Sequence, residues 1–399
     1  MLRVLLCGVL VLATAGSAVA EWKLSEFMIT QWGQPDFADD EAVVQAAAAA
    51  HVNHLMWTAD KLDLCQTYGV KLIVTDPSPE LARRIASHPA LFGYYGGDEP
   101  YPESKFPPLA EQKRALQKVD AEHPYFINML STTGDFLRTY MRVVQPEILS
   151  FDFYQWLWGS DRYYEKLEQF REEAMMADVP LTSCIETETR PVNGPDYLPD
   201  NAQKLRLSVY TALAYGAKGI QWYHARGMYE KDSLRLSKAG EDVKALNLEL
   251  TKIGAMLVNL RSTDVYNTMP LPKGTREAPK ENWIQLIGEE NAGGLVLGMF
   301  KDESNEHFMD DVEVDYFMAT NRDYQNSQHV VVRFQTKWLG IAPWYKPKQF
   351  TRSVEIFDKK TGEWKMTSSS CAVGFIFYIE PADGELFRVT TTITDGGES

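Results

Sequence analysis

The chain lacks most of what competing functions would need. Cysteine is scarce, four in 399 residues, and Cys7 falls in an apolar leader. Cys65, Cys184 and Cys371 remain, odd in number and far apart. They exclude a disulfide framework and leave room for one bridge at most. Histidine is as sparse, with seven in all. His224 has no second His or Cys at ligand spacing, so no metal is expected. Basic residues are in deficit, 40 against 55 acidic ones, for a net charge of −15. That balance argues against nucleic acid and against polyanionic substrates. No G-x-G-x-x-G follows the first strand, which removes the usual dinucleotide signature. No G-x-S-x-G supports a Ser/His/Asp triad. No expected strand ends in a lone lysine or a metal cluster, as lyases and aldolases require, and no cofactor is expected.

Long apolar runs are also missing, with one exception. Met1-Leu2-Arg3 opens a nearly unbroken apolar stretch that closes Ser17-Ala18-Val19-Ala20. A basic start, an apolar middle and an A-x-A end read as a signal peptide over residues 1–20. The protein is therefore expected to be secreted or periplasmic. Beyond the leader nothing approaches the roughly 20 apolar residues that span a bilayer, so no membrane partner is expected.

What is present is a repeated alternation. Short apolar runs rich in β-branched and aromatic residues alternate with helical stretches. The expected strands are Phe27–Trp32, Asn53–Trp57, Val70–Thr75, Leu91–Gly97, Tyr125–Leu130, Ile148–Tyr154, Pro180–Glu186 and Gly219–His224. Helices fill the gaps, the last with Val243, Leu246, Leu250, Ile253 and Leu257 at helical spacing. Strands alternating with helices imply parallel pairing, and eight such units fit an α/β (β/α)8 (TIM) barrel over residues 21–265. A Pro-, Lys- and Gly-rich linker is expected at 266–282. Short alternating runs without helices then predict a small antiparallel β-sandwich over 283–390, with a flexible tail at 391–399.

Working residues of such a barrel sit at the C-terminal ends of its strands. The fourth strand ends Gly93-Tyr94-Tyr95-Gly96-Gly97-Asp98-Glu99-Pro100, two carboxylates behind aromatics and glycines. Crowded like charges raise a carboxyl pKa, which suits a general acid. The seventh runs Thr182-Ser183-Cys184-Ile185-Glu186-Thr187-Glu188, and alternation puts Glu186 and Glu188 on one face. Two carboxyls across one mouth are what glycosidic cleavage needs. Trp32, Trp57, Tyr95 and Trp222 lie near the same ends, Trp222 being the first choice for a sugar platform. Asp152, Tyr154 and His224 complete the candidate set.

The Gly-Tyr-Tyr-Gly-Gly-Asp-Glu-Pro segment resembles one in β-galactosidase-like barrels of the clan A (4/7) glycoside hydrolases. Ser150-Phe151-Asp152-Phe153-Tyr154 and Ala214-Tyr215-Gly216-Ala217-Lys218-Gly219-Ile220 are similar to their sixth strand and eighth-strand approach. Pro381-Ala382-Asp383-Gly384-Glu385-Leu386 resembles the last strand of their accessory domain. The resemblance implies a retaining hydrolase of a neutral poly- or oligosaccharide, with Glu99 as acid/base and Glu186 as nucleophile. It also implies that a tyrosine near Tyr154 orients the nucleophile. Asp98 departs from the superfamily pattern, where Asn precedes the acid. An ionised Asp cannot donate to a sugar hydroxyl as an amide does. Glu188 stays a rival nucleophile, and a carbohydrate-binding barrel without catalysis is the alternative.

Overall fold

The computed structural model describes residues 22–395 except 37, 131–132, 159, 188–201, 231, 291, 303–311, 336–347, 369–370 and 372. The expected leader and Glu188 lie outside the described residues, as do the last four positions.

Eight parallel strands close into a barrel in chain order. They are β1 (Met28–Gln31), β2 (His54–Trp57), β3 (Lys71–Val74), β4 (Leu91–Asp98), β5 (Tyr125–Leu130), β6 (Ile148–Asp152), β7 (Leu181–Glu186) and β8 (Ala217–Tyr223). The intervening helices are α1 (Asp40–Ala49), α2 (Leu62–Thr67), α3 (Pro79–Ile85), α4 (Phe106–Gln117), α5 (Gly134–Val144), α6 (Gln155–Trp158), α7 (Ser160–Ala177), α8 (Ala202–Ala214) and α9 (Lys238–Leu257). Side-chain caps mark several starts. Asp39 accepts from the Ala42 amide at 2.9 Å, and Ser237 from Gly240 at 3.1 Å. In α9 the apolar stripe Val243, Leu246, Leu250, Ile253 and Leu257 is buried, as its spacing predicts.

Alternation along each strand sorts the residues into two shells. Outward side chains such as Leu149, Phe151, Ile220 and Trp222 join the large core between strands and helices. Inward ones form layers. Met28, Met56, Ile73, Phe92, Phe126 and Ile148 make an apolar plug. Trp22 lies edge-on to Phe92, with ring centres 6.1 Å apart. One step further along the strands the interior turns polar, with Asn128, Ser150, Thr182 and Gln221 all buried. Polar groups are tolerated at such depth where they bond one another, as all four do here, although the Gln221 amide oxygen has no partner among the described residues. The Gln221 amide donates to Ser150 Oγ at 2.7 Å and to Thr182 Oγ1 at 2.8 Å. Ser150 Oγ in turn donates to Asn128 Oδ1 at 2.7 Å.

After α9 the chain enters two antiparallel sheets. A six-stranded sheet holds β9 (Leu260–Asn267), β11 (Leu295–Asp302), β12 (Val312–Asn321), β14 (Lys348–Asp358), β15 (Glu363–Ser368) and β17 (Gly384–Asp395). A three-stranded sheet holds β10 (Ile284–Ile287), β13 (Gln328–Phe334) and β16 (Gly374–Ile379). Their facing sides share a core that includes Leu297, Phe317, Val332 and Phe387. The expected sandwich is thus present, but it starts earlier and runs later. β9 pairs with β11, so the expected barrel end at 265 falls inside a sandwich strand. β17 reaches Asp395, within the expected tail.

The sandwich is fused to the barrel along α8. Gly298 of β11 lies so close that a Cβ there would sit 2.1 Å from the Ala214 carbonyl oxygen. Arg206 of α8 bonds both Glu249 of α9, at 2.7 Å, and Asp383, at 3.0 Å. Lys359 reaches Asp383 at 2.8 Å. Cys65, Cys184 and Cys371 are buried free thiols.

Candidate active site

The strand order puts β4, β5, β6 and β7 side by side, and their C-terminal ends bring three carboxyl groups together. β4 is irregular, with register shifts at Leu91–Gly93 against β3 and between Tyr95 and Asp98 against β5. The second lets Tyr95 and Asp98 share a side, and the Tyr95 hydroxyl donates to Asp98 Oδ1 at 3.2 Å. Gly96 lies in that bulge because a Cβ would meet the Tyr125 hydroxyl at 2.1 Å. Glu99 follows with φ at 41°, a left-handed conformation uncommon for a side-chain-bearing residue. Its N–H donates to the Asn128 carbonyl at 2.9 Å, which holds it there. Such backbone outliers concentrate at working sites.

Asn128 is the hub. Its amide nitrogen donates to Asp98 Oδ1 at 3.1 Å and to Asp152 Oδ2 at 2.6 Å. Its oxygen accepts from Ser150, so both ends of the amide are oriented by partners of the right kind. Asp152 closes β6 and is 4% exposed. Its carboxyl is pushed up to about 7 by burial, opposed by the Asn128 hydrogen bond and reinforced by the Glu99 charge. Glu99 stands exposed at the mouth. Partial desolvation and then the Asp98 charge raise its carboxyl above the ordinary value, while a hydrogen bond with Asp152 works the other way. The Tyr154 hydroxyl lies 3.6 Å from Cys184 Sγ. Burial, followed by the Asp152 charge, pushes the Cys184 thiol well above its ordinary value, so it is not a thiolate nucleophile.

Glu186 ends β7 on the inward side and is buried. It lines a small cavity with Tyr154, Gln155, Trp156 and Ser208. An aromatic wall borders the mouth. Trp32 packs on Tyr223 at 4.9 Å and on Tyr95 at 5.7 Å, and Tyr154 stacks on Tyr223 at 6.0 Å and 12°. His224 touches Tyr223, with ring centres 5.3 Å apart, and its Nδ1 accepts from the Arg226 amide.

Two expected platform residues face the other way. Trp222 is fully buried between β8 and α9, and its Nε1 donates to Asn247 Oδ1 at 2.8 Å. Alternation along β8 turns Tyr223, not Trp222, to the interior. Trp57 likewise alternates outward and packs against the strand–helix core, with Lys61 Nζ 5.5 Å from its ring centre. Tyr94 also points outward, donating to Asp120 at 2.6 Å. Asn128 and Gln221 were not among the expected site residues. A lone amide in Tyr-Phe-Ile-Asn-Met-Leu and another in Gly-Ile-Gln-Trp-Tyr were the available signals, since an unpaired polar residue inside a buried strand needs a partner.

No protein-family model matches the chain, and no curated protein does. Solved structures do. A candidate alpha-galactosidase from Bacteroides fragilis aligns over 92% of this chain and 79% of its own, at 11% identity and a TM-score of 0.51. Alpha-galactosidase I from Mortierella vinacea aligns over 97% and 100%, at 10% identity and a TM-score of 0.48. A glucosidase from Croceicoccus marinus aligns over 92% and 96%, at 10% identity and a TM-score of 0.42. In fold, this chain is a (β/α)8 barrel carrying an antiparallel β-sandwich, the architecture its resemblance to clan A glycoside hydrolases implied.

Proposed function

We propose that the chain is a secreted glycoside hydrolase acting on a neutral poly- or oligosaccharide with retention of configuration. The observation that carries this reading is the carboxyl cluster at the barrel mouth. Glu99 is solvent-accessible, its pKa is raised, and it follows Asp98, whose carboxyl accepts from Tyr95 of the aromatic wall that Trp32 and Tyr223 continue. A carboxyl raised above its ordinary value keeps its proton to higher pH, which suits an acid catalyst, and aromatic faces pack on the C–H faces of sugars. Glu99 is assigned the acid/base role and Glu186 the nucleophile. Asp152 is not assigned the nucleophile role, because it is buried and held by the Asn128 amide. The two carboxyls of a retaining pair stand about 5–5.5 Å apart, with the scissile bond between them. The apolar leader at residues 1–20 supports export.

The test is reducing-end release from a panel of neutral glucans, galactans, xylans and mannans, with product anomers followed by NMR. Wild type is expected to cleave at least one with retention. Glu99→Gln should lose most turnover, and Glu186→Ala should be rescued by azide or formate. Full activity in Glu186→Ala together with a dead Glu188→Ala moves the nucleophile to Glu188. Binding without cleavage across the panel leaves a carbohydrate-binding barrel instead.

A further inference from the structure

We infer that the sandwich completes the substrate cleft. Its Tyr324, set against Trp156 and Lys204 of the barrel, forms a subsite for a sugar unit remote from the cleavage point. The inference deepens the proposed hydrolase reading and rests on it for the kind of ligand, though binding can be observed without cleavage.

The cluster stands on the working face. Trp156 lies in α6, which follows β6, and it lines one small cavity with Glu186 and Tyr154. Lys204 lies in the first turn of α8. Barrel helices return antiparallel to their strands, so that first turn is at the mouth, where the strands end. The sandwich meets α8 lower down, where Thr320 Oγ1 of β12 donates to the Tyr210 carbonyl at 3.2 Å. The connection from β12 to β13 then reaches the mouth. Its Tyr324 ring meets the Trp156 indole edge-on, with centres 5.4 Å apart and planes at 79°. Lys204 Nζ stands 5.2 Å from the Trp156 ring centre and 6.0 Å from that of Tyr324. A contact that only sealed sandwich to barrel would bury these rings, yet all three side chains are partly open.

The parts are held in place before any ligand arrives. The Trp156 N–H donates to Ser208 Oγ at 3.2 Å, and that hydroxyl donates to the Lys204 carbonyl at 3.1 Å. The Tyr324 turn is fixed from within and from outside. Asp323 Oδ1 accepts from the Gln325 and Asn326 amides, each at 2.9 Å, and the Asp323 carbonyl accepts from the Ala382 amide at 2.9 Å. Fixed rings lose little freedom on binding. Aromatic rings pack on the C–H faces of a sugar. The ammonium offers donors and no acceptor, which suits hydroxyl oxygens. The ligand is therefore a saccharide chain long enough to run from Glu186 past Trp156 to Tyr324.

The test uses the full chain carrying Glu99→Gln, in native gels containing soluble β-glucan, galactan, xylan or galactomannan. At least one polysaccharide should retard it. Adding Tyr324→Ala should weaken that affinity about threefold to tenfold, as expected for one lost ring contact, whereas Tyr324→Phe should stay within about twofold. Equal retardation with and without Tyr324→Ala overturns the inference, as do equal losses in the Ala and Phe variants or retardation by none of the polysaccharides. A second measurement leaves the cleft unaltered. The retarding polysaccharide should protect Lys204 of the Glu99→Gln chain from acetic anhydride, read by mass spectrometry, and leave Lys252 on α9 as reactive as before. Lack of protection at Lys204 overturns the inference even if Tyr324→Ala fails to fold. If Tyr324→Ala weakens binding but wild type cleaves no polysaccharide, the hydrolase reading fails and the subsite stands.

Discussion

Trp222→Phe separates a packing role from a binding role. The indole is fully buried between β8 and α9. Its N–H donates to Asn247 Oδ1 at 2.8 Å, and the Asn247 amide donates onward to the Ala50 carbonyl at 2.8 Å. One side chain thus ties the eighth strand to the last barrel helix, and through it to the end of α1. Phenylalanine removes the donor and leaves a buried acceptor unsatisfied, which costs about 1–3 kcal/mol. The missing ring leaves roughly 40 Å³, and at about 24 cal/mol per Å³ that adds about 1 kcal/mol. A total of about 2–4 kcal/mol lowers Tm by about 5–15 °C for a domain of this size. The assay is thermal unfolding of the full chain followed by circular dichroism, with kcat/KM measured well below the lowered Tm. Catalysis at that temperature should be unchanged within about twofold, since the ring faces away from the mouth. An unchanged Tm with a tenfold loss in kcat/KM would refute the reasoning, because it would place the indole against substrate.

Other consequences follow from the same contacts. The Asp152 carboxyl is raised to about 7, mainly by burial. The folded state therefore keeps a proton that the unfolded chain releases between about pH 4 and 7, so this group's contribution to stability falls as pH rises through that window. The loss is about 2–4 kcal/mol in all, and urea unfolding at the two ends of the window should show it in wild type and not in Asp152→Asn. Arg206→Ala removes the cation partner of Glu249, which keeps only the Tyr210 hydroxyl among the described residues, and half of the Asp383 partnership at a partly buried junction. It should cost about 2–3 kcal/mol and separate the unfolding of sandwich and barrel into two calorimetric transitions; a single transition at the wild-type Tm would show that the junction is not held there. Gly298→Ala forces a methyl against the Ala214 carbonyl and should cost about 1–3 kcal/mol in urea unfolding, with no change denying the close approach of β11 to α8.

The strands and helices were legible because each obeys a local rule. Eight apolar runs alternate with amphipathic stretches, and no other closed architecture of that size accommodates them. The sandwich was legible from short alternating runs between turn residues. Its first strand was not, because β9 follows α9 with almost no turn residue between, so nothing local separates it from the barrel. β15 carries little alternation, because it is an edge strand whose residues are mostly exposed.

The sequence by itself determined the fold class, the acidic character, the absence of a disulfide framework and the candidate carboxyls Asp98, Glu99, Asp152 and Glu186. Those follow from composition, from periodicity and from the rule that barrel chemistry sits at strand ends. Only the tertiary structure decided which residues meet. Strand alternation alone put Trp222 opposite Gln221 and Trp57 opposite Met56, but which of the two faces looks into the barrel was decided by its closure and packing. Nor could alternation join Asn128 to both Asp98 and Asp152. That contact depends on β4, β5 and β6 lying side by side, and neighbours separated by 24 and 30 residues in the chain are fixed by closure of the barrel, not by any local preference.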